Sequence, residues 1–398
     1  MTGRPIFHGY VRPDGSVGIR NHVLVLPGGL ISEKICAFVP GAKTIATARS
    51  GGGLTSRDRE ALGRVLSGLG ANANVAAVLV HDGSPGAGYP ELGAERLAAE
   101  VEKTGKPMAL VRVGAEGGTL EAIARGIRLV RKMVHEASRL RREPVGLQHL
   151  ALAVKCGASD PTSGMAGNPV VGRLFDRVVE AGGTVLFGET TELIGAEPLL
   201  AKRAVDGRVA EELLASVRAL EERILATGED IRTINPVPEN IAAGISTLEE
   251  KSLGAVSKAG SHPIQGVLRY GERPLGKGLY FMDSWMAPSS IFPGFAAAGA
   301  QLLLFQYGGG AASRTILDPS PAVVAPLLWA SANPRTFERV GESLDFYSGT
   351  VMEGTESLDA AGERLLRLVL DVASGTLTLG ETVCHGEPIE AYGVDPLF

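Results

Sequence analysis

Reactive and anion-binding residue types are concentrated in the segment KCGASDPTSG, which spans residues 155–164. An apolar run at 150–154 precedes it, and Asn168-Pro169 behind it suits the N-cap and first turn of a helix. Free amides at such a helix start would attract an anion, so the segment could bind a substrate carboxylate. The alternative is a polar loop with ordinary capping, in which Cys156 is a small buried residue. We predict catalytic roles for Lys155, Cys156, Ser159 and Asp160, and substrate binding by Ser163, Gly164 and Asn168.

Two carboxylates three positions apart occur in GETTE, where Glu189 and Glu192 follow the apolar run of residues 184–187. Carboxylates at the end of a strand can act as a general base or as ligands of a divalent metal. A capping box at the start of the next helix explains the same residues equally well. We predict a metal site at these two glutamates and keep the capping role as the alternative.

Basic residues flank a Pro-Asp-Gly turn in the segment of residues 8–21. Arg12 and Arg20 could each clamp a carboxylate, and Asn21 follows directly. The turn signal also fits a plain β-hairpin with no binding role. We predict that these three side chains bind substrate, with the hairpin as the alternative.

A second polar segment, residues 235–254, contains Glu250 and Lys251, to which we assign substrate binding. Charge that faces solvent on a short helix is the alternative for both. His81 lies at the end of an apolar run, and we predict a catalytic role, although a lone histidine there is more often structural. Because no His-x-x-x-His or Cys-x-x-Cys spacing occurs, the sequence gives no support for zinc.

The elements that must position these residues follow one repeated pattern: an apolar run, a glycine-rich loop, an amphipathic helix and another apolar run. Continuous apolar runs that alternate with helices predict an α/β fold of mostly parallel, Rossmann-like sheets with flanking helices. Right-handed crossovers place the strand-to-helix loops at one sheet edge, where ligands bind. The loops expected there are residues 27–30, 49–54, 81–90, 155–168, 188–192, 283–290 and 306–314.

Length and composition limit the classes of protein that this chain can represent. The 398 residues are 44% hydrophobic and 21% charged, which fits a globular protein with two domains, divided here into 1–142 and 143–398. The net charge of −5 and the lack of basic stretches interleaved with aromatics argue against nucleic acid as a partner. No apolar run reaches 18 residues, so no membrane span is expected. Three distant cysteines argue for a reducing, cytoplasmic location.

Several blocks together resemble the altronate/galactarate dehydratase family, which includes the large subunit of sulfolactate sulfo-lyase. The blocks run in the expected order across nearly the whole chain, and they read GYVRPDGSVGIRN, KCGASDPTSGMAGNPVVGRLFD, GETTELIGAE, NPVPENIAAGISTLEEKSLG and SLDFYSGTVMEG. The resemblance implies a lyase that acts by β-elimination on a hydroxylated carboxylic acid such as a sugar acid, or a related sulfo-lyase.

The chain departs from the family at its cysteines. Members typically carry one cysteine in each loop after the first three strands, whereas these loops read PGGLIS, SGGGLT and HDGSPG here. Three cysteines at one sheet edge could hold iron or an iron–sulfur cluster, so a cluster is not expected in this chain. The resemblance leaves a divalent metal, Fe²⁺, Mn²⁺ or Mg²⁺, as the expected cofactor. The glycine turn near residue 308 also lacks the family's threonine-glycine-arginine-glycine pattern.

The resemblance also bears on partners. The small antifreeze-like domain of some members is absent, which makes the chain resemble a stand-alone large subunit. We expect a small carboxylic acid as substrate and a homo-oligomer, to which a small antifreeze-like-domain subunit could bind. Two other classes stay open: an isomerase or hydrolase on the same carboxylate-binding scaffold, and a non-catalytic subunit that binds a small acid.

β-Elimination needs a base for the proton next to the carboxylate and positive charge to stabilise the enediolate dianion. We predict that Lys155 or His81 is the base. The positive charge is expected from Arg12, Arg20, Lys155 and the amides before Pro169.

Overall fold

The computed structural model describes residues 5–46, 52–84, 86–309, 323–383 and 389–395. The strands are β1 (Ile6–Val11), β2 (Val17–Gly18), β3 (His22–Leu26), β4 (Ala42–Thr44), β5 (Val75–His81), β6 (Met108–Val111), β7 (Glu143–Gly146), β8 (Ala151–Gly157), β9 (Thr184–Phe187), β10 (Ile264–Leu268), β11 (Gly278–Met282), β12 (Leu302–Tyr307), β13 (Leu327–Ser331) and β14 (Phe346–Tyr347). The helices are α1 (Gly29–Phe38), α2 (Ser56–Ala71), α3 (Ala94–Glu102), α4 (Thr119–Ala137), α5 (Asn168–Glu180), α6 (Glu197–Ala201), α7 (Gly207–Leu225), α8 (Ile231–Ile234), α9 (Pro238–Ala242), α10 (Leu248–Val256), α11 (Pro288–Ala297), α12 (Pro334–Val340) and α13 (Leu358–Ala373).

A seven-stranded parallel sheet with the order β10-β11-β9-β8-β12-β13-β14 forms the centre of the C-terminal region. Its middle strands are buried on both faces, which is why they appear in the sequence as continuous apolar runs. The chain leaves β8 toward β9 on one side and later returns to β12 on the other. The strand order therefore reverses between β8 and β12, the type of position where ligands bind in open α/β sheets.

A four-stranded parallel sheet, β4-β3-β5-β6, forms the N-terminal region. Both sheets are flanked by helices, so the predicted α/β fold with mostly parallel sheets is confirmed. Residues 47–51, which belong to the glycine loop after β4, lie outside the described residues. No helix within the described ranges is long and apolar enough to cross a membrane.

A small antiparallel sheet, β2-β1-β7, joins the two regions. The hairpin of β1 and β2 confirms the turn signal at residues 12–16, where the Arg12 amide donates to Ser16 O at 2.8 Å. β1 also pairs with β7, so strands from both sides of the predicted boundary at residue 142 lie in one sheet. The boundary itself stays a prediction.

The two regions pack closely through α2 and α11. The Asn72 side chain donates to the carbonyls of Ala296 and Ala300, at 2.7 and 2.9 Å. Gly68 allows the two helices to touch, since a Cβ atom there would lie 2.5 Å from Ala297 O. The N-terminal region is thereby fixed against one face of the large sheet.

We expect Gly68→Ala to lower the melting temperature and to cost about 1–3 kcal/mol, because α2 and α11 must separate to admit the methyl group. Gly207→Ala in α7 is the matched control, since a Cβ there meets no atom within 4 Å. Alanine raises helix propensity at both sites, so the control should be neutral or slightly stabilising. Equal melting temperatures of the two variants would contradict the close packing.

Candidate active site

A buried glutamate lies between two lysines at the carboxyl end of the large sheet. Glu189 follows β9 and Lys155 lies near the end of the neighbouring β8, so parallel pairing brings them together. Lys155 Nζ is 3.2 Å from Glu189 Oε1, and Lys258 Nζ is 2.5 Å from Oε2. The exposed fractions are 5% for Lys155, 1% for Lys258 and 0% for Glu189. We call these three residues and Cys156 the buried ion cluster.

The two lysines reach Glu189 from opposite faces of the sheet. The Lys155 ammonium lies 4.6 Å from the centre of the Phe305 ring. The Phe305 side chain belongs to the hydrophobic core between the large sheet and the N-terminal region. Lys258 lies in the turn after α10, and its Nζ is also 3.1 Å from Cys156 Sγ. The Cys156 amide donates to Glu189 Oε2 at 3.0 Å. Glu189 adopts a left-handed backbone conformation, with φ of 71°, which directs its side chain back over the ends of the strands.

The charges in the buried ion cluster hold one another in the ionised form. Burial opposes ionisation of Glu189, but the ammonium groups of Lys258 and Lys155 lower the pKa of its carboxyl. Burial also opposes protonation of Lys258, yet the negative charge of Glu189 in contact with it raises its pKa. Burial and the charge of Glu189 raise the pKa of Cys156 to about 11. Cys156 is therefore a thiol at neutral pH, and Glu189 supplies the negative charge that Lys258 meets.

A second buried pair lies beside this cluster. Lys251 Nζ is 3.1 Å from Glu192 Oε1 and donates to Asn235 Oδ1 at 2.8 Å. Glu192 is 3% exposed and Lys251 is 8% exposed, so the alternative of solvent-facing charge is wrong for Lys251. The alternative of a capping box at Glu189–Glu192 is also wrong, because no side chain of the described residues caps the short helical turn at Thr190–Leu193.

The predicted metal site at Glu189 and Glu192 does not fit this geometry. Ammonium groups already neutralise both carboxylates, and the two side chains pair with different lysines. No group of three or more potential protein ligands occurs within the described ranges. A divalent ion at these glutamates would have to displace a lysine from each.

Asp160 belongs to a different network from Lys155 and Glu189. Its Oδ1 accepts from Thr162 Oγ1 at 2.6 Å and from the Ser163 amide at 3.2 Å, while Oδ2 accepts from Asn333 at 2.9 Å. These bonds cap a helical segment that begins at Pro161. The predicted N-cap at Asn168 is therefore wrong.

The helical segment continues through a π-helical turn at Ser163–Gly167 into α5. Asn168 is helical and its side chain donates to Gly254 O at 3.0 Å. Because the turn precedes it without a break, the amides before Pro169 do not form a free helix start for an anion. Gly164 instead lies against Gly254, so that α10 and the π turn are in backbone contact.

An open cleft of about 410 Å³ lies next to Asp160. Its walls come from the start of the helical segment, the end of α9 and the start of α12, and the polar lining residues are Asp160, Thr162, Asn333 and Arg335. Ser159 is 5% exposed, and its backbone carbonyl accepts from the Asn240 side chain at 2.8 Å.

The structure places Arg12 and Arg20 at the other end of the sheet. Arg12 donates to Ala73 O at 2.7 Å and to Asn21 Oδ1 at 2.8 Å. Arg20 pairs with Glu381 at 2.6 Å and donates to three backbone carbonyls. Both are almost fully buried. Their donors are occupied by the protein, which contradicts the expectation that they clamp a substrate carboxylate.

Asn21 belongs to this same structural network. Its amide donates to Ala137 O at 2.7 Å. Asn74, next to the Ala73 acceptor of Arg12, donates to Gln301 O directly before β12. The network therefore lies at the amino ends of the strands, about 20 Å from the carboxyl ends for a seven-residue strand.

His81 also lies outside the buried ion cluster. Its Nδ1 accepts from the Gly83 amide at 3.2 Å, so Nε2 carries the proton and donates to Ser32 Oγ at 2.7 Å. Burial lowers the pKa of His81 to about 4. Both ring nitrogens are already hydrogen-bonded and the residue is 1% exposed. This histidine therefore has a structural role, and the geometry does not support it as the base.

The loops that lack the family cysteines follow the adjacent strands β4, β3 and β5, as the expected convergence at one edge requires. The described parts of these loops contain glycine and no cysteine. Ser50, Gly51 and Cys384 lie outside the described residues, as does Gly310 of the glycine turn after β12.

Glu250 in the segment of residues 235–254 does not have the predicted substrate-binding geometry. Glu250 is exposed and accepts from the Ser246 amide at 2.8 Å, which is a local capping role at the start of α10.

The sequence did not point to Lys258, because this residue lies in no motif and follows a helix with an ordinary charge pattern. Asn333 was missed too, although Asn333-Pro334 is itself a signal for a helix start.

The fold and this site define an α/β protein with a buried, positively biased ion cluster at the carboxyl ends of parallel strands. Residues 147–391 match the model of the D-galactarate/altronate dehydratase C-terminal domain, and residues 9–138 match the second domain of D-galactarate dehydratase/altronate hydrolase. The chain belongs to the galactarate/altronate dehydratase family.

Curated relatives agree with this assignment. The chain is 36% identical to the (2R)-sulfolactate sulfo-lyase subunit beta of Chromohalobacter salexigens, over 97% of both chains. It is 28% identical to the altronate dehydratase of Bacillus subtilis, over 93% of this chain and 74% of the relative. It is 31% identical to the L-threo-forming galactarate dehydratase of Escherichia coli, over 63% of this chain and 46% of the relative.

We expect Glu189→Gln to destabilise the protein by about 3–5 kcal/mol, because two buried ammonium groups would lose their shared counter-ion. Urea unfolding followed by tryptophan fluorescence measures this loss. Glu212→Gln is the control, since its pair with Arg208 is exposed and screened by solvent, so its loss should leave the stability nearly unchanged. Replacing Lys258 by Met in the Glu189→Gln background should recover part of the loss.

The same variant should change the acid dependence of stability. Since the pKa of Glu189 is lowered in the folded protein, its ionisation contributes stability above the ordinary glutamate value of 4.5. That contribution is lost as the pH falls through the lower folded-state pKa. Stability measured from pH 7 down to 3 should therefore fall less steeply in Glu189→Gln, and parallel curves would contradict the cluster.

Proposed function

We propose that this chain is a lyase that catalyses β-elimination on a 2-hydroxy carboxylic acid, with the buried ion cluster as its reaction centre. The observation that carries the proposal is the pair of lysines, Lys155 and Lys258, which meet one carboxylate at the sheet edge. Two ammonium groups and one carboxylate leave an excess of positive charge in a site of low exposure. Family membership supports the reaction class.

Positive charge is what this reaction needs from a protein. Removing the proton next to a carboxylate produces an enediolate with two negative charges, which water-excluded cations stabilise strongly. Lys258 keeps its proton because negative charge raises its pKa, so its role is electrostatic. Lys155 is the more exposed of the two lysines, and in this proposal it binds the substrate carboxylate.

Glu189 is the group that accepts the proton in this proposal. With both lysines in contact its carboxyl has a lowered pKa and is a weak base. A substrate carboxylate would compete for Lys155 and withdraw one counter-ion from Glu189. The pKa of Glu189 would then rise toward the range in which proton transfer is efficient, so that substrate binding itself activates the base.

We take the two candidate leaving groups, water and sulfite, from the reactions named for the relatives. Water leaves in a dehydratase, and sulfite leaves in a sulfo-lyase that acts on sulfolactate. Identity of 36% over 97% of both chains with a sulfo-lyase subunit supports testing sulfolactate beside the sugar acids altronate and galactarate. In each case the enol product rearranges to a 2-oxo acid.

Assembly is part of the proposal as well. One relative is named as a subunit, which supports an assembly of several chains for this protein. We propose a homo-oligomer, with a small second subunit as a further component, and light scattering on the purified chain measures the first directly. We also propose that any divalent metal binds away from Glu189 and Glu192. Metal analysis of wild type and Glu192→Gln, with equal contents expected, tests this placement.

Turnover of (2R)-sulfolactate, altronate and galactarate by the purified chain tests the function. The 2-oxo acid is measured as its semicarbazone, and sulfite is measured separately for sulfolactate. Formation of a 2-oxo acid from at least one of the three supports the lyase. If none of them reacts, with or without added Fe²⁺, Mn²⁺ or Mg²⁺, the proposal is wrong for these substrates.

We expect Lys155→Ala to lower kcat/KM by about 100-fold or more, because the substrate loses its charged partner and the transition state loses positive charge. Lys103→Ala is the control, since Lys103 is exposed and pairs with the exposed Glu100, and it should keep full activity. Melting temperatures of both variants separate a folding defect from a loss of chemistry. Unchanged turnover in a folded Lys155→Ala would remove Lys155 from the mechanism.

A further inference from the structure

Gln306 carries a buried amide that no described part of the protein satisfies. The residue lies one position before the end of β12 and is 1% exposed. Neither Oε1 nor Nε2 has a hydrogen-bond partner within the described ranges. A buried donor and acceptor without partners cost stability, so an apolar residue would serve the core better at this position.

The amide lies directly beside the buried ion cluster. Gln306 and Cys156 are register partners on the neighbouring parallel strands β12 and β8. Their side chains project from the same sheet face and are separated by about 5 Å, the distance between adjacent strands. Cys156 Sγ in turn lies 3.1 Å from Lys258 Nζ. The amide is thus within reach of a small molecule held at Lys258 and Glu189.

The π-helical turn lies over this amide and is built to leave room for it. A Cβ atom at Gly167 would be 2.1 Å from Gln306 Nε2, so glycine at this position lets the amide lie directly under the turn. The neighbouring Asn168 Oδ1 is a further buried acceptor, and it has no hydrogen-bond partner among the residues that the structure describes. π-Helical turns inside helices are frequent at functional sites.

The chemistry of an amide restricts the group that can satisfy it. A carboxylate accepts from Nε2 but repels Oε1, and an ammonium group donates to Oε1 but repels Nε2. A hydroxyl that donates to Oε1, next to a second oxygen that accepts from Nε2, satisfies both atoms. Polyhydroxy acids present this pair on adjacent carbons, and sulfolactate presents it as a hydroxyl beside a sulfonate.

We propose that Gln306 is a specificity residue that binds a substrate hydroxyl together with the oxygen on the next carbon. This inference rests on the proposed function, because it places the substrate at the buried ion cluster. The acid end of the substrate then lies at the buried ion cluster, and its hydroxylated part meets Gln306. An acid without the hydroxyl leaves the amide buried and unpaired, and is rejected for that reason.

A ligand reaches the amide only when its cover moves. The π turn meets α10 through backbone contact of Gly164 with Gly254, and the Asn168 side chain at its end donates one hydrogen bond to Gly254 O. Met165 on the outside of the turn is 61% exposed and Leu253 on α10 is 51% exposed. The turn can therefore be displaced from α10 without unpacking large buried side chains.

The test compares acids that differ only in their hydroxyl groups. Calorimetry on the full chain measures binding of galactarate against adipate, and of (2R)-sulfolactate against 3-sulfopropanoate. We expect wild type to bind the hydroxylated member of at least one pair about 10–100-fold more tightly. Gln306→Met keeps the length of the side chain and removes both polar atoms, and it should reduce this ratio to less than about 3-fold.

The melting temperature of Gln306→Met and a control variant at Gln265 complete the test. Because Gln306→Met removes an unpaired buried amide, we expect its melting temperature to equal or exceed that of wild type. Gln265→Met on the edge strand β10, whose amide donates to Pro263 O, should leave the affinity ratio unchanged. A ratio retained in folded Gln306→Met, or absent in wild type for both pairs, overturns the inference. Binding discrimination without turnover would instead reject the lyase and keep the subsite.

Discussion

Glu189 and the two lysines that contact it are the constraint on which the arrangement of this site depends. An ionised carboxylate with no exposed surface is tolerated only with close opposite charge and hydrogen bonds. Lys155 provides this from β8, Lys258 provides it from the turn after α10, and the Cys156 amide adds a hydrogen bond. The ends of β8 and β9 and the end of α10 must therefore meet at one point.

The polar groups of the large sheet are divided between its two ends, and the two ends serve different purposes. At the amino ends, the side chains of Arg20, Asn72 and Asn74 bond backbone carbonyls of the C-terminal region and join the two regions of the chain, while Arg12 bonds Ala73 O within the N-terminal region. At the carboxyl ends, several buried polar atoms have no hydrogen-bond partner in the described part of the chain, among them those of Gln306. Saturated hydrogen bonding stabilises the fold, whereas unsaturated groups are available to a ligand.

The chain carries out the proposed chemistry with residues other than the cysteines that are typical of its family. The glycine loops after β3 and β5 leave that edge of the smaller sheet without thiol ligands in the described ranges. The larger sheet keeps a cationic centre and a neutral amide side by side. A small acid with a hydroxyl group matches both, since its charged end and its neutral end need different partners.

The sequence alone determined the α/β class and the positions of Lys155 and Glu189 at strand ends, because apolar runs and glycine loops are local patterns with a direct structural meaning. It also indicated the hairpin of β1 and β2. Only the tertiary structure decided that Lys258, 69 positions after Glu189, completes the cluster. Likewise, only the tertiary structure showed that Arg20 pairs with Glu381, 361 positions away. The spacing of residues along the chain does not indicate which helix end packs against which strand. The long-range partners are therefore visible only in the folded structure.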